Sequence, residues 1–310
     1  MIKYKLLKYL KKPEYLLRPR QIIHRLRIAF SKSKFEEISE VTLPWGLTIK
    51  VHPNESIGLT IFKSGVFDLA VSEVLWRLID EGDTAIDVGA NIGCMTSIML
   101  MRVGECGKVF AFEPNPMVYR EFTENINIWL EEISTQQIST MQIALSNQVG
   151  QGRLIVPKRF NQNRGISYVK FSNEGIIKHS EEDALYEYNV QLERLDNIVN
   201  AHVGAMKIDV EHHELCVLEG SEKLLHAGYI RDIVYEDLEE YPSVLSDFLE
   251  KRGYTIFKID KGIFSPIVQK AKEGIVHKSF DSPSYIASKN PERIIIRFKP
   301  KGWMCLKRAS

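Results

Sequence analysis

The chain has 310 residues, 44% hydrophobic and 26% charged, with a formal net charge of +1. That balance suits a globular protein with a sizeable core and excludes a disordered or fibrous chain. No apolar run approaches the length of a membrane span, and the basic N-terminus lacks the uninterrupted apolar stretch of a secretory signal.

Four cysteines, Cys94, Cys106, Cys216 and Cys305, form no C-x-x-C pair. Neither a zinc site nor a disulfide framework is expected, and a reducing cytoplasm is the expected compartment. Charge is unevenly spread: residues 1–35 hold eleven Lys/Arg against one acid, Glu14. Leu6, Leu7 and Leu10 share one helical face, and Ile22, Ile23, Leu26 and Phe30 another, with breaks at Pro13 and Pro19. Two short amphipathic helices are expected in an extension over residues 1–40. They suit peripheral attachment to an anionic inner-membrane face, or packing on the body. Few aromatics interleave with the charges, which disfavours a nucleic-acid arm.

Val41–Val51 reads as a hairpin turning near Trp45-Gly46. Phe67–Ile79 reads as a helix with Leu69, Val71, Val74, Leu75 and Leu78 on or beside one face. The next stretch organises the rest: Thr84-Ala85-Ile86-Asp87-Val88-Gly89-Ala90-Asn91-Ile92-Gly93. A buried parallel strand over Ala85–Val88 breaks at Gly89 and passes into an apolar helix, Ile92–Met101. Strand, glycine turn and helix start make the ligand corner of a doubly wound sheet, and the glycines are expected to let a ligand approach the backbone. A second strand, Lys108–Phe112, ends in Glu113, where an acid can accept from ribose hydroxyls.

The spacing G-x-N-x-G lacks the third glycine of a dinucleotide fingerprint, and Asp87 would repel a pyrophosphate. A carboxylate there favours a cationic cofactor, S-adenosylmethionine, over NAD. Pro114-Asn115-Pro116 then starts a helix through about Trp129. Met141–Leu145 reads as a third strand ending at Ser146 and Asn147. Arg153–Val156 and Tyr188–Leu192 read as strand pieces in an insertion, residues 150–194, which suits a lid over the sheet's carboxyl edge or a passive surface loop. Ala205–Val210 is a fourth strand, ending in Asp209-Val210-Glu211-His212-His213-Glu214, with a helix to about Leu225. Arg231–Tyr235 is a fifth, ending at Glu236 and Asp237. A helix over Tyr241–Arg252, a strand over Thr255–Ile259 and a last strand over Ile294–Phe298 follow. Alternating strands and helices predict a mostly parallel three-layer α/β sandwich.

Ligands in such sheets sit beyond the strands' carboxyl ends. Carboxylates with a histidine there suit a general base, or an oxygen-rich site for a divalent cation that no dedicated ligand spacing marks. Glu214 and His212 also have a plain structural reading, as a first-turn acid and a solvated residue.

I-D-V-G-A-N-I-G, A-F-E-P-N-P, A-L-S-N and M-K-I-D-V-E-H-H-E-x-x-V-L-E-G-S together resemble the FkbM-type family of S-adenosylmethionine-dependent methyltransferases, over about Asp83 to Glu236. The resemblance implies a class I methyltransferase Rossmann-like sheet of seven strands, the last antiparallel, in a domain over residues 41–310 with its core at about 67–260. It implies O-methylation of a sugar, a glycolipid or another hydroxylated small molecule. Asp87, Gly89, Asn91 and Gly93 would line the methionine end of the cofactor, Glu113 the ribose and Ser146 the adenine. Asp209 and Glu211 would face the acceptor, with His213 and Glu236 beside them as further catalytic candidates. The family pattern usually reads D-V-E-G-x-E, and His212 replaces its glycine. A nucleic-acid methyltransferase would want an N/D-P-P-Y/F turn where this chain has D-V-E-H. A non-enzymatic binding protein retaining the fold is the remaining alternative.

Overall fold

The computed structural model describes residues 13–16, 37–133, 137–170, 184–273 and 283–307. Apart from a helical turn, Pro13–Leu16, the basic extension expected over residues 1–35 lies outside the described residues.

Strands β1 (Ser39–Thr42) and β2 (Thr48–Val51) form the expected antiparallel hairpin. It is fixed to the body: the Trp45 indole donates to Ser97 Oγ at 3.0 Å and the Trp129 indole to the Thr48 carbonyl at 2.6 Å. Helix α1 (Ser56–Ser64) was not expected from periodicity. Its signals are in its caps: Glu55 accepts from the Ile57 and Gly58 amides, and Gly65 closes it at φ 79°. Helix α2 (Leu69–Leu78) follows.

Then come β3 (Thr84–Val88), α3 (Cys94–Val103), β4 (Lys108–Phe112), α4 (Pro116–Glu132) and β5 (Ile138–Met141). A small excursion holds β6 (Ala144–Leu145), β7 (Gly150–Pro157), β8 (Tyr168–Lys170) and β9 (Ala184–Glu193). A turn of helix, α5 (Leu195–Ile198), leads to β10 (Val203–Ile208), α6 (Glu214–Glu219), α7 (Glu222–His226), β11 (Ile230–Glu236), α8 (Val244–Glu250), β12 (Thr255–Lys261), β13 (Pro266–Lys270), β14 (Ser284–Ser288) and α9 (Pro291–Phe298).

The main sheet runs β13-β12-β14-β11-β10-β3-β4-β5. Neighbours from β11 to β5 are parallel, and β14 enters antiparallel between β11 and β12. This is the expected seven-stranded order, with β13 added at the edge as an antiparallel partner of β12. Alternate strand residues feed two cores. Ala85, Val109, Ala205 and Val234 pack with α2, α3 and α4 on one face. Ile86, Met206, Ile208 and Ile233 pack with α6, α7 and α8 on the other. Each fully buried branched side chain contributes about 1.5–3 kcal/mol, which is what holds the three layers together.

Four expectations need correction. The third strand is not continuous over Met141–Leu145: Ile138–Met141 lies in the main sheet, and Ala144–Leu145 pairs with β9 in a second sheet, β6-β9-β7-β8. The helix expected to run to Leu225 is broken in two at Gly220-Ser221. The helix over Tyr241–Arg252 is shorter, because Ser243 and Ser246 form a capping box that starts it at Val244. Ile294–Phe298 is helical, and the last strand is Ser284–Ser288. Asn290 caps that final helix through the Arg293 amide, with Pro291 in its first turn, and of its three isoleucines Ile294 alone is buried.

Candidate active site

The parallel strands end around one cleft of about 760 Å³. On one side, the chain leaves β3 through Gly89, Asn91 and Gly93, all at positive φ (78°, 51°, 96°). A Cβ on Gly89 would lie 1.9 Å from the Asp209 carbonyl oxygen, and one on Gly93 2.6 Å from the Phe122 ring. Gly89 therefore makes room for the end of β10, and Gly93 for α4, while Gly89 also lines the cleft. The Gly89 and Ala90 amides donate to Phe112 O at 3.0 and 2.9 Å, which locks the turn onto β4.

Glu113 follows β4 and lines the cleft. Its two oxygens accept from the Asn91 and Asn115 amides, each at 2.9 Å. Burial pushes its carboxyl up to about 7, and those amides offset part of the rise. The Asn91 side chain also lines the cleft and donates to the Arg164 carbonyl at 3.3 Å.

Asp87 is fully buried and is not among the described residues that line the cleft. Thr96 donates to its Oδ2 at 2.6 Å, while Oδ1 has no hydrogen-bond partner among the described residues. Lys207 Nζ stands 3.6 Å from that Oδ1, 3.2 Å from Asp209 Oδ2 and 3.0 Å from the Gly89 carbonyl it donates to. Burial alone would lower the lysine's pKa, but the two carboxylates outweigh it and hold the group above its ordinary value. Burial raises the Asp87 carboxyl, against the pull of Lys207 and Thr96. Sequence reasoning missed Lys207. The signal was there: a charged residue in the apolar strand M-K-I must have a counter-charge beside it.

On the other side stand Asp209, Glu211 and Glu236, all lining the cleft. Burial, then the charges of Asp209, Glu236 and Glu214, push the Glu211 carboxyl up to about 7. The strand expected over Ala205–Val210 is displaced: β10 runs Val203–Ile208, and beyond it Glu211 and His212 both take positive φ (53° and 71°). Asp209 and Glu211 both line the cleft from this turn.

His213 lines the cleft and is buried, with Nε2 3.3 Å from Ser146 Oγ. Burial lowers its pKa to about 4, so the ring is neutral near pH 7. Ser146 itself is fully buried, behind the cleft-lining Ile143, Ala144 and Leu145. Three other polar residues named from the sequence stand apart. Glu214 Oε1 accepts from the Val210 amide at 3.1 Å and holds the turn. His212 is exposed. Asp237 is buried, accepting from Ser243 Oγ and the Glu239 amide.

The insertion reaches back over the cleft. Asn163, Arg164, Gly165 and Ser167 line it. Ser167 Oγ accepts from the Asn115 side chain at 3.0 Å, and the Arg164 guanidinium pairs with Glu121. Among the described residues no group of three or more His, Cys, Asp or Glu could hold a metal ion, and no helix is long and apolar enough to cross a membrane.

Apart from the added edge strand β13, the sheet is parallel with β14 alone reversed, the Rossmann-like arrangement of class I S-adenosylmethionine-dependent methyltransferases. The domain family described as "Methyltransferase FkbM domain" matches residues 87–256, more than half of the chain, and the chain belongs to that family of S-adenosylmethionine-dependent methyltransferases. No curated protein matches the sequence. Among solved structures, the chain is similar to the methyltransferase FkbM from Methylobacillus flagellatus KT, with 13% identity and a TM-score of 0.41 over 74% of this chain and 52% of that one. The chain thus spans about half of that protein's length. A SAM-dependent O-methyltransferase from Thermotoga maritima matches with 14% identity and a TM-score of 0.39 over 83% and 87% of the two chains. An rRNA methylase from Streptococcus thermophilus matches with 12% identity and a TM-score of 0.39 over 71% and 93%.

Proposed function

We propose that the protein methylates a hydroxyl oxygen of a sugar, a glycolipid or another small hydroxylated acceptor. The observation that carries this reading is the acid pair Asp209 and Glu211 in the same cleft as Glu113, with Glu211 raised to about 7, the range in which a carboxylate serves as a general base near neutral pH. The residues fit S-adenosylmethionine. Glu113 keeps lone pairs beyond its two amide bonds for ribose hydroxyls, and the buried Asp87 Oδ1, which lacks a hydrogen bond among the described residues, stands beneath the turn 3.6 Å from Lys207 Nζ. When bound, the cofactor supplies an electrophilic methyl group on a positively charged sulfur.

The chain's own residues do the rest. Gly89, Asn91 and Gly93 shape the turn that would receive the methionine end, and Asp87 acts there through Lys207. Ser146 supports the adenine wall through His213, which we assign to that wall rather than to proton transfer. Asp209 orients the acceptor hydroxyl, Glu211 takes its proton, and Glu236 keeps Glu211 basic. Residues 158–167, latched by Arg164 to Glu121, act as a lid that excludes water. The acceptor side carries Asp209, Glu211, Glu236, Glu240 and Asp260 against Lys207, Lys258 and Lys261. That excess of negative charge supports a neutral polyhydroxylated acceptor over a phosphodiester chain.

The test is a screen of hydroxylated acceptors with methyl-labelled S-adenosylmethionine, the product's methyl ether being identified by mass spectrometry. Asp209→Asn should lower turnover by about 10²-fold or more while cofactor affinity changes little, the mark of a loss confined to the transition state. A base works unprotonated, so wild-type activity should rise with pH through about 7 and Glu211→Gln should lose that limb. Activity removed by EDTA and restored by Mg²⁺ would move the proton's removal to a bound cation. Full activity in Asp209→Asn, or label on nitrogen, would overturn the reading.

A further inference from the structure

The cleft is longer than the chemistry proposed above uses. Its lining runs from Glu113, past the end of β4, across β3, β10, β11 and β14 to Lys261 on β12. Five strand spacings of roughly 4.8 Å make that span about 24 Å. In the reading above, the cofactor's residues follow β3 and β4, and the reacting acids follow β10 and close β11. The ends of β14 and β12 lie beyond both.

Strand register sets what paves that far end. Glu236 lies opposite Ser284 on β14, and Ser284 opposite Ile259 on β12. Residues directly opposite each other leave the same face of a sheet, and Lys261, two residues past Ile259, leaves that face again. All four line the cleft. The half-buried Ser284 hydroxyl has no hydrogen-bond partner among the described residues. Glu14, also lining the cleft, is 5% exposed, and both its carboxylate oxygens lie 3.1 Å from Lys261 Nζ. The pair is neutral as a whole, yet the ammonium keeps further N–H groups to donate and the carboxylate further lone pairs to accept.

We infer that Ser284, Lys261 and Glu14 form a second acceptor subsite, which takes a neutral sugar unit linked to the one that is methylated. The acceptor is then an oligosaccharide and not a free monosaccharide. This rests on the methyl-transfer reading and narrows its substrate. From the end of β10 to Ile259 on β12 is three strand spacings, about 14 Å, a length that one sugar ring does not span. A hydroxyl without a partner, an ammonium and a carboxylate offer the mixture of donors and acceptors that sugar hydroxyls satisfy. An anionic unit would meet Glu14 as well as Lys261. An apolar chain would expel water from Ser284 and the ion pair without replacing its hydrogen bonds. Binding energy from a unit remote from the reacting oxygen is available to speed the transfer.

The experiment uses the full chain, methyl-labelled S-adenosylmethionine and neutral glycans of the cell that makes the protein, partially hydrolysed and separated into mono-, di- and trisaccharide fractions. At equal low concentration, the longer fractions should take label about tenfold faster than the monosaccharides, the return of one or two hydrogen bonds. Two variants should bring that ratio towards one. Lys261→Met removes the donor, and Ser284→Leu leaves the ion pair in place and fills the subsite. Calorimetry with S-adenosylmethionine verifies that each variant is folded. Equal rates in all fractions, or variants that keep the wild-type ratio, would overturn the subsite and leave the methyl-transfer reading in place. So would label on a small alcohol in the acceptor screen with none on any glycan fraction. No label on any acceptor in either experiment would overturn both.

Discussion

Lys207 occupies a strand whose six residues are all buried, a place where a charge is expensive unless it is matched. Strand register supplies the match: Lys207 lies directly beside Asp87 on the parallel neighbour, so both side chains leave the same face of the sheet. Replacing the lysine by methionine keeps the stem and strands the acid. Lys207→Met should cost about 3–5 kcal/mol, read as a fall in the urea midpoint. Adding Asp87→Asn should return most of that loss, because the pair is then removed together. If the double variant is as unstable as the single one, Lys207 serves Asp209 and not Asp87. Both residues were visible in the sequence, but their adjacency needed the strand order.

The elements most legible in the sequence were the central strands. Ala85–Val88, Lys108–Phe112 and Arg231–Tyr235 are short β-branched or aromatic runs closed by a glycine or an acid, and β3, β4 and β11 stand there. Ile294-Ile295-Ile296 misled because three isoleucines in a row fit a buried strand as well as a helix. What decides is tertiary: Arg293 and Arg297, one turn apart, both reach Asp80, at 2.7 and 2.6 Å. The acids after β10 were legible as a set, but their aim was not, since it depends on two successive left-handed residues. Such a conformation strains a residue with a Cβ by about 1–2 kcal/mol. The exposed His212 therefore offers a test of the turn itself. His212→Gly should raise the urea midpoint by the equivalent of about 0.5–1 kcal/mol, after glycine's greater unfolded freedom is set against the relief. Unchanged or lower stability would mean that the turn is not left-handed at 212.

Across the whole molecule, the buried site carboxyls tie stability to pH. Glu113 and Glu211 have folded pKa values near 7, above the ordinary 4.5, so the folded state holds their protons more tightly than the unfolded one. Their stabilisation is complete below about 4.5 and is lost as pH rises through about 7. His213, lowered from 6.5 to about 4, acts in the opposite sense and loses stability as pH falls through that window. Burial raises the Asp87 and Glu214 carboxyls as well, in the same sense as Glu113 and Glu211, so the ligand-free protein should be less stable at pH 7.5 than at 5.5. Glu211, partly open to solvent, contributes less than Glu113. Urea titrations across that range should show the decline, and Glu113→Gln should flatten it. A midpoint that climbs from pH 5.5 to 7.5 would contradict the assignment.

The contact between Gly89 and the Asp209 carbonyl also bears on how such a molecule can change over generations or be recombined at the bench. The turn that would receive the cofactor and the strand end that would face the acceptor meet backbone to backbone, with no room for a single carbon between them. They form one mechanical unit although 120 positions separate them in the chain. A chimera that imports another enzyme's glycine turn must therefore import that enzyme's segment at 207–211 with it.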